Sequence, residues 1–547
     1  MSANTIARIQ QDLMAGRHAS AVKKARLEAK KRPGDPNLQN IAGICLSMAG
    51  DHAAAVAYFA RAARAMPEND DYIYNLILAR ISSGQLDKAE AALAALSEAR
   101  RDSTRFTYLS ALACMQNQRP KQAVALADRV LAAAPAMIDA LNVRATALSD
   151  LNRTEDALAA FEAIHALEPR NVMALENCGE RLNELGRGAE AATRFRALLE
   201  IVPGHAFALT RLAELEPSER LADLLDRIDT AQAVRKLAVA ERAQLWMARG
   251  TALDRLGQAG QAMECFGKAH DLDARHRPPQ RSAMARDVKQ IARLAAQALP
   301  EGMPEVDPRP IFVIGLPRSG TSLVELILTT ADGVEGCGEL AAARRNFGIF
   351  FGPEGDRPLP EALSGFARGY RADLPGLGER TRAFVDKMPD NFRIAGVLTA
   401  AFPNARIINV ERDPRDVAVS LWKQRFPADT MGYACRMSGI AEQANMYRRL
   451  VDIWAPVCGD RMLTLRYEDL VTDPERETRR LAAHCGLDWS EAMLHPEQSE
   501  ATVRTASLNQ VRRRIHARSV GGWRQHEALL RDFIAGLDPG LWPLDPA

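Results

Sequence analysis

Two stretches of this 547-residue chain carry residue types and spacings suited to holding anions. The first is Gly315-Leu-Pro-Arg-Ser-Gly-Thr-Ser322, which follows the apolar run Ile311 to Ile314 and leads into the helical pattern Leu323 to Leu328. A strand, a glycine loop and a helix start, in that order, aim backbone N–H groups and the positive end of a helix dipole at one point, where a phosphate or sulfate can sit. The spacing is GxxxxG followed by Thr321-Ser322, so Thr321 stands where a P-loop nucleotidase carries its lysine. The cation lies inside the loop instead, as Arg318, which argues against a Mg²⁺-dependent kinase or ATPase. The second stretch is Glu411-Arg-Asp-Pro-Arg-Asp416, after the apolar run Arg406 to Val410. Asp413 can cap a helix and Pro414 can open it. Arg412 then ends a strand, and Ser420, eight residues on, lies about two turns into the helix. The two can clamp one phosphate; taken alone they also read as a surface ion cluster with a capping serine.

The Pro-Arg-Ser-Gly-Thr loop resembles the 5′-phosphosulfate loop of sulfotransferases, and arginine followed eight residues later by serine resembles their 3′-phosphate motif. The resemblance implies 3′-phosphoadenylyl sulfate (PAPS) as co-substrate, with no metal required. Arg318, Ser319, Gly320, Thr321 and Ser322 would hold its 5′ end, and Arg412 and Ser420 its 3′-phosphate. Further stretches resemble the tyrosylprotein sulfotransferase branch. Gly336-Cys-Gly-Glu339 is similar to the segment bearing that branch's catalytic glutamate, which implies that Glu339 takes the acceptor's proton. By spacing alone Glu339 is a solvated residue at a helix start. Phe384-Val-Asp-Lys387-Met-Pro matches a strand-end lysine whose ammonium would neutralise charge on the oxygen leaving sulfur. Ser507-Leu-Asn-Gln-Val511 resembles the segment whose serine touches the sulfuryl oxygens. Tyr467 fits a nucleotide-side motif, though core packing accounts for it equally well, and Trp523 fits a later tryptophan. In the family a phosphate-binding cation precedes that tryptophan; here Gly522 does, leaving Arg518, Arg524 or Arg512-Arg513-Arg514 to compensate.

Positioning these residues requires a particular scaffold. Short apolar runs, Ile311–Ile314, Ala383–Val385, Arg406–Val410 and Met462–Leu465, alternate with helical patterns, which predicts a parallel sheet between helices. Four prolines between Leu299 and Pro310 mark a boundary, so an α/β, P-loop-like three-layer domain is expected over 308–547, with a linker and connecting helix over 277–307. The stretch Arg344 to Arg382 reads either as a lid over the acceptor or as a plain surface loop.

Residues 1–276 have a different grammar. Ala21, Ala55, Ala89, Ala123, Ala157 and Ala191 recur every 34 residues. Five residues before each stands a turn position: Gly16, Gly50, Gly84, Gln118, Asn152 and Gly186. Small residues Gly43, Ala111, Ala145 and Gly179 fall where paired helices would cross, and a further unit runs from 243 to 276. The period resembles the tetratricopeptide repeat. It predicts an all-α superhelix, with one degenerate repeat around Glu219 to Arg242. Such arrays bind peptides, serve as scaffolds, or self-associate, so a protein or peptide partner is expected and a homodimer is compatible.

Composition narrows the field. Lys+Arg 71 against Asp+Glu 69 leaves a charge of +2, which argues against a globally basic nucleic-acid binder. There is no apolar stretch of about 18 residues to span a membrane. The eight cysteines include no CxxC pair, so neither a zinc site nor a disulfide framework is indicated, and a reducing cytoplasm is the expected compartment. The acceptor hydroxyl is expected on a protein or peptide, tyrosine in particular, with a sugar or small alcohol as the alternative. A non-catalytic scaffold that senses nucleotide is the reading from another class.

Overall fold

The turn positions of the 34-residue period do what the spacing asks of them. Gly16, Gly50, Gly84 and Gly186 have φ of 69°, 84°, 75° and 78°, and Gln118 and Asn152 adopt the same left-handed conformation at 53° and 59°. A computed structural model gives the structure, describing residues 2–275, 281–297, 299–300, 303–352, 357–426, 431–499 and 514–544. By internal contacts the chain divides into Met1–Ala174 and Leu175–Ala547. No helix among the described residues is long and apolar enough to cross a membrane.

The first unit consists of helices α1 Ser2–Met14, α2 His18–Lys31, α3 Pro36–Met48, α4 His52–Ala65, α5 Asp70–Ser82, α6 Leu86–Ala94, α7 Glu98–Arg101, α8 Thr104–Gln116, α9 Pro120–Ala133, α10 Ile138–Asp150 and α11 Thr154–Leu167. The periodic alanines at 21, 55, 89, 123 and 157 have no exposed surface, as helix pairs in close approach require. Gly43 shows why the partner helix needs a small residue: a Cβ there would come within 2.6 Å of the Phe59 ring.

The division falls within α12 Val172–Glu184, and the second unit continues with α13 Gly188–Ile201, α14 Ala206–Leu215, α15 Leu221–Gln232, α16 Val239–Arg255 and α17 Ala259–Ala274. The irregular repeat is the short pair α14 and α15, which begins at Ala206, earlier than the sequence gap suggests. Pro217 and a 3₁₀ turn at Ser218–Arg220 cut its helices short. Helix α18, Arg281–Ala295, then leads to the sheet.

Five strands, β1 Arg309–Gly315, β2 Val334–Gly336, β3 Ala383–Asp386, β4 Arg406–Glu411 and β5 Met462–Arg466, form one parallel sheet in the order β2-β3-β1-β4-β5. Its helices are α19 Thr321–Leu328, α20 Ala342–Phe351, α21 Leu359–Ala372, α22 Ala395–Ala401, α23 Pro414–Trp422, α24 Met437–Cys458, α25 Tyr467–Thr472, α26 Pro474–Cys485 and α27 Arg531–Gly536. Alternation within β1 sorts two cores. Phe312 and Ile314 join one that also contains Phe266 and Ala269 of α17, while Ile311 and Val313 join one with Val324 and Leu481. Both faces are thus covered, which is why the strands read as continuous apolar runs. The stretch from Arg344 to Arg382 contains most of α20 and all of α21, and α21 is rooted in the larger core by fully buried Phe366 and Tyr370, so the loop reading does not hold. All eight cysteines are buried.

Candidate active site

Parallel strands place their carboxyl ends along one edge of a sheet, the usual ligand crevice of open α/β folds. In spatial order, that edge presents Glu339 beyond β2, Lys387 beyond β3, the Gly315–Ser322 loop beyond β1, Arg412 beyond β4 and Tyr467 beyond β5. Residues scattered over 150 positions of sequence are neighbours because their strands are.

The loop is tightly wound. Arg318 takes a left-handed φ of 73° and Gly320 one of 107°, after which α19 begins at Thr321. No side chain fits at Gly320, where a Cβ would lie 2.5 Å from the Tyr467 ring. Ser319, Thr321 and Ser322 are buried. Arg318 is buried too, and its Nε donates to Ser420 Oγ at 3.0 Å. Arg412 donates from Nη1 to the Arg318 carbonyl at 3.1 Å and from Nη2 to the Ser519 carbonyl at 2.7 Å. Its guanidinium lies 4.5 Å over the Tyr467 ring, whose hydroxyl is 2.9 Å from Ser519 Oγ. Ser420 therefore meets Arg318 directly, and Arg412 is drawn to the same loop through its backbone. Burial first, and the Arg412 charge second, lower the Arg318 pKa to about 10. Two guanidiniums share this site, and among the described residues the buried Arg412 Nε and Ser319 Oγ have no hydrogen-bond partner. An anion suits such a cradle: it would answer both charges and give those atoms a partner.

The second group forms where β2 and β3 stay paired past their ends. Gly336 stands opposite Val385, and the pairing continues through Cys337 N–H to the Val385 carbonyl at 2.8 Å and Lys387 N–H to the Gly338 carbonyl at 2.9 Å. This brings Glu339 to Lys387, whose fully buried ammonium donates to Glu339 Oε1 at 2.6 Å. Glu339 keeps 43% of its side chain exposed, so one oxygen is anchored while the group stays open to solvent.

Behind the pair lies Glu325, which the sequence reading passed over. Its Oε1 accepts from Gly338 N–H at 3.0 Å. Burial, with Glu339 adding to it, raises its pKa to about 7 against the opposing effects of Lys387 and Gly338. The signal was a lone acid in the apolar helix Thr-Ser-Leu-Val-Glu-Leu-Ile-Leu. Asp386 is fully buried, accepts from the Tyr370 hydroxyl at 2.9 Å, and is raised to about 7, chiefly by burial.

Asp416, also passed over, ties the C-terminal segment to α23. It accepts from Gly521 N–H at 2.8 Å and Trp523 N–H at 2.9 Å, and Arg415 stacks 3.8 Å over the buried Trp523 ring. Of the cations offered to compensate for Gly522, Arg524 lies 4.9 Å over the Trp523 ring and Arg514 pairs with Glu497 at 3.7 Å. Arg518 is exposed. Arg512 and Arg513 lie outside the described residues, as does Ser507.

Residues 310–354 and 366–491 match the Sulfotransferase family model, and residues 46–113, 142–206 and 243–276 match Tetratricopeptide repeat models. A protein of Aquifex aeolicus (strain VF5), named only as uncharacterized, is 34% identical over 253 residues, covering 43% of this chain and 33% of that protein. Protein-tyrosine sulfotransferase 2 of Gallus gallus is 24% identical over 218 residues, 37% of this chain and 58% of that protein. The chain thus spans a third and somewhat over half of these relatives' lengths. Among solved structures, the sulfotransferase domain of the Synechococcus PCC 7002 olefin synthase aligns with a TM-score of 0.33 at 20% identity, covering 46% of this chain and 99% of that domain. The chain therefore combines segments that match tetratricopeptide-repeat models with a segment that matches the Sulfotransferase family model.

Proposed function

We propose that the chain is a PAPS-dependent sulfotransferase acting on a hydroxyl of a protein or peptide, tyrosine in the first instance, which the repeats over 1–276 dock for a catalytic domain over 308–547. The observation that carries the reading is the pair of guanidiniums, Arg318 and Arg412, drawn to one glycine loop at a helix start together with Ser420. An anionic nucleotide is the ligand such a site favours.

When bound, the donor supplies a sulfuryl group on a good leaving group, the 5′-phosphate of 3′,5′-adenosine bisphosphate. Arg318 and the loop N–H groups hold the 5′ end; Arg412 and Ser420 hold the 3′-phosphate, with Tyr467 walling the nucleotide side. The acceptor oxygen attacks sulfur as the bond from sulfur to the bridging oxygen breaks, and the acceptor's proton passes to Glu339. Lys387 answers the charge growing on the bridging oxygen. Ser507 is assigned to the sulfuryl oxygens from the sequence alone.

A thermal-shift titration tests the reading, because a ligand that binds only the folded state raises the melting temperature. The bisphosphate without metal is expected to stabilise the chain, and ADP with Mg²⁺ to leave it unchanged. The reverse pattern would return the loop to a kinase-type reading, and no effect from either would favour a scaffold.

A further inference from the structure

Helix α23 carries Ser420 near its carboxyl end, and that end is held by the last repeat. A helix leaves its last carbonyls without partners of its own. Here the Trp422 carbonyl is met by His270 Nε2 of α17 at 2.8 Å, with the His270 and Trp422 rings 4.2 Å apart. One residue on, Lys423 pairs with both oxygens of Asp254 of α16 at 2.9 and 3.0 Å. Arg425 forms a two-point ion pair with Asp273 of α17 at 2.9 and 3.0 Å, and its Nη1 reaches Gln244 of α16 at 3.1 Å. Arg436, just before α24, donates to the Ala274 carbonyl. Asp273 and His270 are nearly inaccessible to water, so their contacts are interior ones in which charge and geometry matter, whereas the Lys423–Asp254 pair is partly exposed. Packing agrees with the polar contacts, because Val417, Ala418, Leu421 and Trp422 of α23 share a core with Cys265, Phe266 and Ala269 of α17.

The other end of α23 is fixed by its own loop. Asp413 caps it through Arg415 N–H at 2.8 Å, and Glu468 accepts from Asp413 N–H at 2.8 Å. Ser420 lies between the two anchors and passes its position to Arg318 through the 3.0 Å hydrogen bond. A nine-residue helix is a short lever, so loosening the repeat's grip moves the hydroxyl that sets the loop arginine.

We propose that the repeat formed by α16 and α17 is a positioning element of the donor site: Asp273, His270 and Asp254 hold α23 so that Ser420 and Arg318 are set for the nucleotide. This rests on the donor reading above and gives the last repeat a task apart from docking an acceptor. Asp273 is a positioning residue and touches no substrate.

The test measures affinity for 3′,5′-adenosine bisphosphate by calorimetry on the full chain, together with the KM for PAPS and kcat. Asp273→Asn is expected to weaken bisphosphate binding and raise the donor KM about tenfold, with kcat at saturating donor largely kept. Asp273→Glu, which keeps the charge, should recover part of the loss. Lys423→Met, at a more exposed pair, gives the same direction if Asp273→Asn does not fold. Phe59→Leu in the first unit is the stability control: it should lower the melting temperature and leave bisphosphate affinity alone. The proposal is overturned if the wild-type chain binds the bisphosphate and the folded position-273 and position-423 variants bind it equally well. If the wild-type chain itself does not bind, the donor reading fails first.

Discussion

Lys387 and Glu339 form a one-sided ion pair: the ammonium has no exposed surface, whereas its carboxylate partner, 2.6 Å away, remains 43% exposed. A buried ammonium without a counter-charge is costly, and a half-exposed carboxylate can be rehydrated. Glu339→Gln should therefore lower stability more than Lys387→Met, by about 1–3 kcal/mol. Urea unfolding of the two variants in parallel checks this.

The same pair separates binding from turnover. Glu339→Gln should leave bisphosphate affinity within about twofold while reducing sulfuryl transfer by roughly 10²- to 10⁴-fold, the usual range for losing a general base. A variant that keeps full turnover would remove Glu339 from the proton's path.

Glu325 gives a pH signature. Its folded-state pKa of about 7 exceeds the unfolded value of about 4.3, so the folded state holds more protons between the two. The associated stability is complete below about pH 4.3 and is lost as pH rises through 7. Glu325→Gln removes this titration and can still accept from Gly338 N–H. Melting temperature against pH should then decline less between pH 4.5 and 7.5 than in the wild type, and Asp386, raised to a similar value, should account for a slope that remains. Superimposable curves would show that Glu325 does not titrate there.

The loop and the repeats make opposite predictions for glycine. At Gly320, alanine meets the Tyr467 ring and an unfavourable φ of 107°, so Gly320→Ala should weaken bisphosphate binding and lower stability by about 1–3 kcal/mol. At Gln118 and Asn152 the left-handed turn is already imposed on a residue with a side chain. Gln118→Gly should raise stability by up to about 1 kcal/mol, and Asn152→Gly by less, because asparagine tolerates that conformation better. Calorimetric melting of the full chain reads both.

Much of this was legible in the sequence because it repeats or punctuates. The 34-residue period fixed the helix pairs through small residues and turns, and β1, β3, β4 and β5 announced themselves as apolar runs between helices. Strand β2, only Val334–Gly336, was too short to register, yet its pairing with β3 is what carries Glu339 to Lys387. The irregular repeat was misplaced because Pro217 shortens its helices, and periodicity cannot count what has lost its period. Glu325, Asp416 and Asp273 were missed for a shared reason. Each is a single acid whose meaning comes from a partner beyond the reach of a local motif, Gly338 at 13 residues, Trp523 at 107 and Arg425 at 152, and no local spacing records such a pair.

The buried cysteines turn the chain into its own reporter of opening. A thiol must be exposed and ionised to react, and burial raises Cys45 and Cys458 to about 11 and Cys485 to about 12. Alkylating reagent should therefore label the native chain slowly, at the rate at which each region opens. Cys45 and Cys114 report on the first unit, and the other six on the second. Cys265 on α17 and Cys337 beside Glu339 sit in one core, so a labelling time course compares the repeat formed by α16 and α17 with the carboxyl edge of the sheet in a single experiment.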